Sequence, residues 1–116
     1  PDTRDLADSA SLLKKGVRAG FSQNQNTTLV VVATNARLSK VGANKLAQLA
    51  SLGVARTIYP VWTMSDGDIT FALSAGSDHQ APLDSLGVAA AEAVAHAILR
   101  AVTQAPTLGG LPGVAA

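Results

Sequence analysis

Cysteine is absent from the 116 residues, which excludes disulfides and thiolate metal ligation and suits a reducing cytoplasm, the expected location. Aromatic residues make up only 3% of the chain, so a core has to be built from Ala, Val, Leu and Ile, in an amount that suits one small domain or part of one. The two histidines, His79 and His96, stand too far apart for a metal cluster, and no cofactor is expected. No apolar run reaches the roughly 18–20 residues of a membrane span, because Glu92, His96 and Arg100 interrupt Leu86 to Val102. An excess of one charge is missing too. Nine Lys and Arg face eight Asp and Glu, and Lys14-Lys15 with Arg18 is too small a basic cluster for a nucleic-acid footprint. The chain starts at Pro1 without an apolar signal core and reads as a piece of a longer polypeptide.

Residues 5 to 19 carry a loose helical stripe of Leu6, Ala10, Leu12, Leu13 and Val17. Asp5 and Asp8 come early and Lys14, Lys15 and Arg18 late, as the helix dipole favours, with Gly20 as the expected end. Phe21 to Asn26 is polar and aperiodic, which suits an exposed loop open to cleavage. Thr28 to Thr34 is a β-branched apolar run, the pattern of a central strand covered on both faces. A helix is expected next, capped by Ser39 and stopped by Gly53, with Val41, Leu46, Leu49 and Leu52 on its apolar face. Strands are expected over Thr57 to Thr63 and Ile69 to Leu73, joined as a hairpin across Asp66-Gly67. Asp84-Ser85 caps a last Ala-rich helix, Leu86 to Val102, whose small side chains allow close packing. Residues 105–116 read as a flexible tail.

The chemistry-bearing stretch is Asn26-Thr27-Thr28, placed between a polar loop and a buried-type strand. A threonine hydroxyl is a poor nucleophile near neutral pH, and one remedy is a free α-amino group on the same residue acting as its base. That amine has an ordinary pKa of roughly 7.7–8.0 and is partly unprotonated near neutrality. A chain that cuts itself before Thr27 would create this arrangement. Asn26-Thr27-Thr28 also matches an N-glycosylation pattern, which matters only in a secreted chain. The plain alternative is that both threonines simply begin a strand.

Ser65-Asp66-Gly67-Asp68 has two readings as well. Asp-Gly is a common solvated turn, but two carboxylates so close could hold the Thr27 ammonium or hydroxyl and tune its proton affinity. Ile69-Thr70-Phe71 does not continue a calcium-loop pattern. His79 and His96 read as surface or packing residues, Pro60 as a strand edge or bend, and Trp62 as core or interface. No serine–histidine–aspartate triad is supported.

Together, Asn26-Thr27-Thr28, Val31-Val32-Ala33-Thr34-Asn35 and Ser65-Asp66-Gly67-Asp68-Ile69-Thr70-Phe71-Ala72 resemble the C-terminal part of the self-cleaving D-aminopeptidase and β-aminopeptidase family of N-terminal nucleophile hydrolases. The threonine and paired aspartates look most like its nylon-oligomer (6-aminohexanoate oligomer) endo-hydrolase branch. The resemblance covers about residues 24 to 104. It implies a precursor cut between Asn26 and Thr27, whose two chains stay together in an α/β layered αββα sandwich. Residues 1–26 would then end the long N-terminal chain, 27–104 form the nucleophile-bearing subunit, and the processed heterodimer assemble into a homo-oligomer. Thr27 is the implied nucleophile, oriented and polarised by Asp66 and Asp68, and the substrate is a nylon oligomer or a D- or β-amino-acid peptide. This chain has Gln25 where family members often have glycine, and the family's lysine and oxyanion-hole asparagine belong to the N-terminal part. The rival reading is a non-catalytic interaction module.

Overall fold

The computed structural model of the chain describes residues 8–16 and 27–115. Its elements, in chain order, are α1 (Ser9–Lys14), β1 (Leu29–Ala36), α2 (Lys40–Thr57), β2 (Ile69–His79) and α3 (Leu83–Gln104). The class is α/β, as the sequence implied.

β1 and β2 form a two-stranded parallel sheet in which Leu29 pairs with Ile69, Val31 with Phe71 and Ala33 with Leu73. The hairpin expected across Asp66-Gly67 is therefore corrected: the strand partner of β2 is β1, and α2 makes the long connection that a parallel pair requires. Thr57 to Thr63 is not a strand either. Its first residue ends α2, and residues 58–68 form an irregular loop that carries the cis Tyr59–Pro60 peptide and Trp62 at φ 54°. Trp62 is half exposed, so it is not a core residue.

Ser39 caps α2 as expected, its Oγ accepting from the Gly42 N–H at 3.1 Å. Gly53 does not stop this helix. It is buried where α2 crosses α3, and a Cβ there would fall on the Ala91 carbonyl oxygen, so the residue is glycine because the helices approach so closely. Across the same interface Leu46, Ala50 and Val54 of α2 meet Ala90 and Val94 of α3, the largest buried cluster among the described residues. α3 begins one turn earlier than its expected cap: Pro82 is the N-cap and Asp84 lies in the first turn, where its charge suits the helix dipole. At 22 residues α3 is long and apolar enough to cross a membrane by length and composition, which corrects the reading that its charged residues forbid this. Its small residues nevertheless pack on α2, as a core helix of a layered fold requires.

The sheet has one covered and one open face. Val30, Val32 and Ala72 pack toward the helical core, while Leu29, Val31, Phe71 and Leu73 on the other face stay 50–69% exposed. The expectation of a strand covered on both faces is met on one face only within this chain. α1 is shorter than the apolar stripe implied. Asp8 caps it by accepting from the Ser11 N–H at 2.9 Å, and Gly16, at φ 70°, follows its end. The expected stop at Gly20 and the cleavage loop Phe21 to Asn26 lie outside the described residues. At the C-terminal end, Leu108 and Leu111 bond each other across Gly109-Gly110, and Ala115 N–H donates to the Ala105 carbonyl.

Candidate active site

Parallel pairing is what assembles the site. Both strands begin at the same edge of the sheet, so the residues before β1 and those before β2 become neighbours despite about 40 residues of separation. The Ile69 N–H donates to the Thr28 carbonyl at 3.0 Å and locks this register at the edge. Thr27 then lies against the Asp66-Gly67-Asp68 turn, its Oγ1 only 2.8 Å from where a Cβ on Gly67 would sit.

Thr27 is exposed and the two aspartates are half-buried. Asp68 accepts through Oδ1 from the Thr28 N–H at 2.7 Å and through Oδ2 from the Trp62 N–H at 3.3 Å. One carboxylate thus ties the entry of β1 to the α2–β2 loop. Asp66 accepts through Oδ2 from the Thr63 N–H at 2.8 Å, and its own N–H donates back to the Thr63 carbonyl at 3.1 Å. This reciprocal pair closes the loop on itself. Among the described residues, the hydrogen bonds of both carboxylates run to backbone amides rather than to the Thr27 hydroxyl. The arrangement stiffens the backbone around Thr27 and keeps two negative charges beside it. Such a site favours an ammonium or a developing positive charge. Asn26, the other residue of the expected scission, lies outside the described residues.

A cleft of about 430 Å³ opens beside the turn. Thr28, Asp66 and Asp68 supply polar lining, and Leu13, Ile58, Tyr59 and Met64 supply apolar walls. Sequence reasoning missed this loop because it assigned residues 57–63 to a strand. It also missed Gly67 as the residue that leaves room for the Thr27 hydroxyl. The signal for both was the β1–α2–β2 order, which brings the two strand entries together once a parallel sheet is assumed.

The histidines take no part in this constellation. His79 ends β2 at the far edge of the sheet, where its carbonyl accepts from the Arg37 N–H at 2.8 Å, and His96 is exposed on α3. Among the described residues no group of three or more His, Asp or Glu side chains is placed to hold a metal ion.

Residues 3–116 match the family model described as peptidase family S58. An uncharacterized aminopeptidase of Mycobacterium leprae (strain TN) is 37% identical over 134 aligned residues, covering 97% of this chain and 37% of the relative. Uncharacterized aminopeptidases of Mycobacterium bovis and Mycobacterium tuberculosis are each 35% identical over 106 residues, covering 79% of this chain and 31% of theirs. The chain spans about a third of the length of these curated relatives. No solved structure matches it.

Proposed function

This chain belongs to peptidase family S58, and from that premise we propose that it is the C-terminal, nucleophile-bearing part of a self-cleaving amide-bond hydrolase. The observation that carries the proposal is the meeting of Thr27 with the Asp66-Gly67-Asp68 turn at one edge of a parallel sheet. Residues that are distant in sequence converge there on an exposed threonine, which gives an attacking group access.

In the proposed sequence of events the Thr27 Oγ attacks the Asn26 carbonyl carbon, and its proton passes to a nearby base. The acyl group shifts from nitrogen to oxygen, and water hydrolyses the resulting ester to free the Thr27 α-amine. In turnover that amine takes the hydroxyl proton while Oγ attacks the substrate amide. The proton then goes to the leaving amine, and water releases the acyl group. Asp68 holds the backbone after the nucleophile, and the charges of Asp66 and Asp68 favour the ammonium form that the amine passes through. Donors for the tetrahedral oxyanion would come from the N-terminal chain of the same precursor.

That chain is also the proposed partner of the open sheet face. Leu29, Val31, Phe71 and Leu73 leave an apolar surface that a second sheet would cover in an αββα sandwich. We further propose that the processed heterodimer forms a homo-oligomer in the cytoplasm. The relatives' name, aminopeptidase, favours peptides with a free N-terminus as substrates; D- and β-amino-acid peptides and 6-aminohexanoate oligomers are narrower possibilities within the same chemistry. Intact-mass measurement of the expressed full-length precursor tests the proposal. Scission before Thr27 in the wild type and none in Thr27→Ala is the expected result. A Thr27→Ala precursor that still separates into two chains overturns it.

A further inference from the structure

We propose that Trp62 is a positioning residue for the reaction at Thr27 and that it acts through its main chain. Its left-handed backbone aims two successive amides at the two carboxylates of the Asp66-Gly67-Asp68 turn, and so fixes where those carboxylates stand relative to the nucleophile. The inference rests on Thr27 being the nucleophile. Trp62, at φ 54°, is the one non-glycine residue with positive φ among the described residues. A bulky side chain is disfavoured there because its Cβ crowds the backbone carbonyl, and such a conformation persists only where its surroundings over-determine it.

The two carboxylates are those surroundings. The Trp62 N–H donates to Asp68 Oδ2 at 3.3 Å, and the next amide, the Thr63 N–H, donates to Asp66 Oδ2 at 2.8 Å. Successive amides turned to one side by a left-handed residue form a concavity that holds anions. In this loop the anions are side chains from three to six residues further on. An extended backbone at position 62 would point the two amides to opposite sides and release one carboxylate. Each aspartate has a second tie. Asp68 holds the Thr28 N–H through Oδ1 at 2.7 Å, and the Asp66 N–H donates back to the Thr63 carbonyl at 3.1 Å. Between the two aspartates, Gly67 lies against Thr27 Oγ1. A change in φ at Trp62 is therefore passed through Asp68 to the backbone at Thr28, one residue from the hydroxyl that attacks. Both bonds come from main-chain N–H groups, so the indole has no part in them.

The test uses the full-length precursor and the enzyme processed from it, carrying Trp62→Gly, Trp62→Asn, Trp62→Ala or Trp62→Val. All four remove the indole, and they differ in what a left-handed backbone costs them: least for Gly and Asn, more for Ala, most for β-branched Val. Alanine p-nitroanilide turnover is measured per folded, processed molecule, with intact mass and thermal melting as the count. The fall in kcat should follow that order, about threefold or less in Gly and Asn and about 10- to 100-fold in Val, with KM within about twofold throughout. In an Asp68→Asn background the gap between Val and Asn should shrink to about threefold, because the path through Asp68 is already cut. An equal loss in all four variants assigns the role to the indole and overturns the proposal. A Val variant that melts lower yet turns over at the rate of the Asn variant also overturns it, since the conformation is then structural only. Should the Val variant not fold, Ala against Asn decides in its place, and equal kcat in those two overturns the proposal. Failure of the nucleophile reading looks different, since then Thr27→Ala keeps turning over substrate.

Discussion

Gly67→Ala is the most direct probe of the site, because it adds one methyl group at a point where the structure leaves room for none. The new Cβ would lie 2.8 Å from Thr27 Oγ1, while ordinary contact begins at 3.4 Å, and Thr27 Cγ2 and Cβ are 3.7 and 3.8 Å away. The crowding therefore falls on the hydroxyl alone. Thr27 is exposed, so its side chain escapes by turning about χ1, and the hydroxyl is displaced by half an ångström to an ångström. Misplacement on that scale costs up to about 10²-fold in a reaction that depends on alignment, or about 1.4–2.7 kcal/mol in barrier height. Stability should not fall. Gly67 is not among the glycines with positive φ, which are Gly16, Gly109 and Gly110 among the described residues, so alanine fits its backbone. Restricting the unfolded chain then contributes about 0.4–1 kcal/mol of stability. Self-cleavage of the full precursor would be followed on a denaturing gel, kcat by p-nitroanilide release, and folding by thermal melting. Slower scission and a 10- to 100-fold lower kcat with an unchanged or slightly raised Tm is the expected outcome. A variant that cleaves and turns over at wild-type rates refutes the idea that Gly67 sets the position of the nucleophile.

Three further outcomes are expected. Asp68→Asn replaces a carboxylate that accepts two backbone N–H bonds with an amide that can accept one, so turnover should drop roughly 10²-fold with a stability loss of about 1–3 kcal/mol, whereas Asp66→Asn should lower turnover by a similar factor; wild-type kcat in both variants would reduce the turn to a plain turn. Gly53→Ala should destabilise the chain by roughly 1–3 kcal/mol by forcing α2 and α3 apart, read as a lowered midpoint in urea, and an unchanged midpoint would mean that the helices do not cross so closely. If the Thr27 α-amine is the base, activity should rise with pH through an apparent pKa near the roughly 7.7–8.0 of a free amine, displaced upward where the neighbouring carboxylates dominate, and a flat profile from about pH 5 to 9 would assign the proton to another group.

The candidate site was easier to read in the sequence than the fold around it, and the difference has a physical cause. Local signals were sound: Ser39 caps α2, the β-branched run is a strand, and the Ala-rich segment is a helix packed on small residues. What failed was pairing and termination. Asp66-Gly67 satisfies the chemistry of a hairpin turn, yet the residues before it, Ile58 to Thr63, are needed as a loop that reaches back to the sheet edge. Nothing within a few residues of Asp66 reports that its strand partner lies some 40 positions earlier. Gly53 satisfies the chemistry of a helix stop, but its missing side chain serves the approach of α3, whose Ala91, Val94 and Ala95 lie 38 or more residues away. In both cases a glycine was explained by its own turn when its reason lay in a distant element. At the site itself this means that Gly67, which reads as turn chemistry, keeps space for a hydroxyl forty positions earlier. The structure brings Thr27 and the Asp66-Gly67-Asp68 turn together at the shared edge of a parallel pair, with both carboxylates bonded to backbone amides.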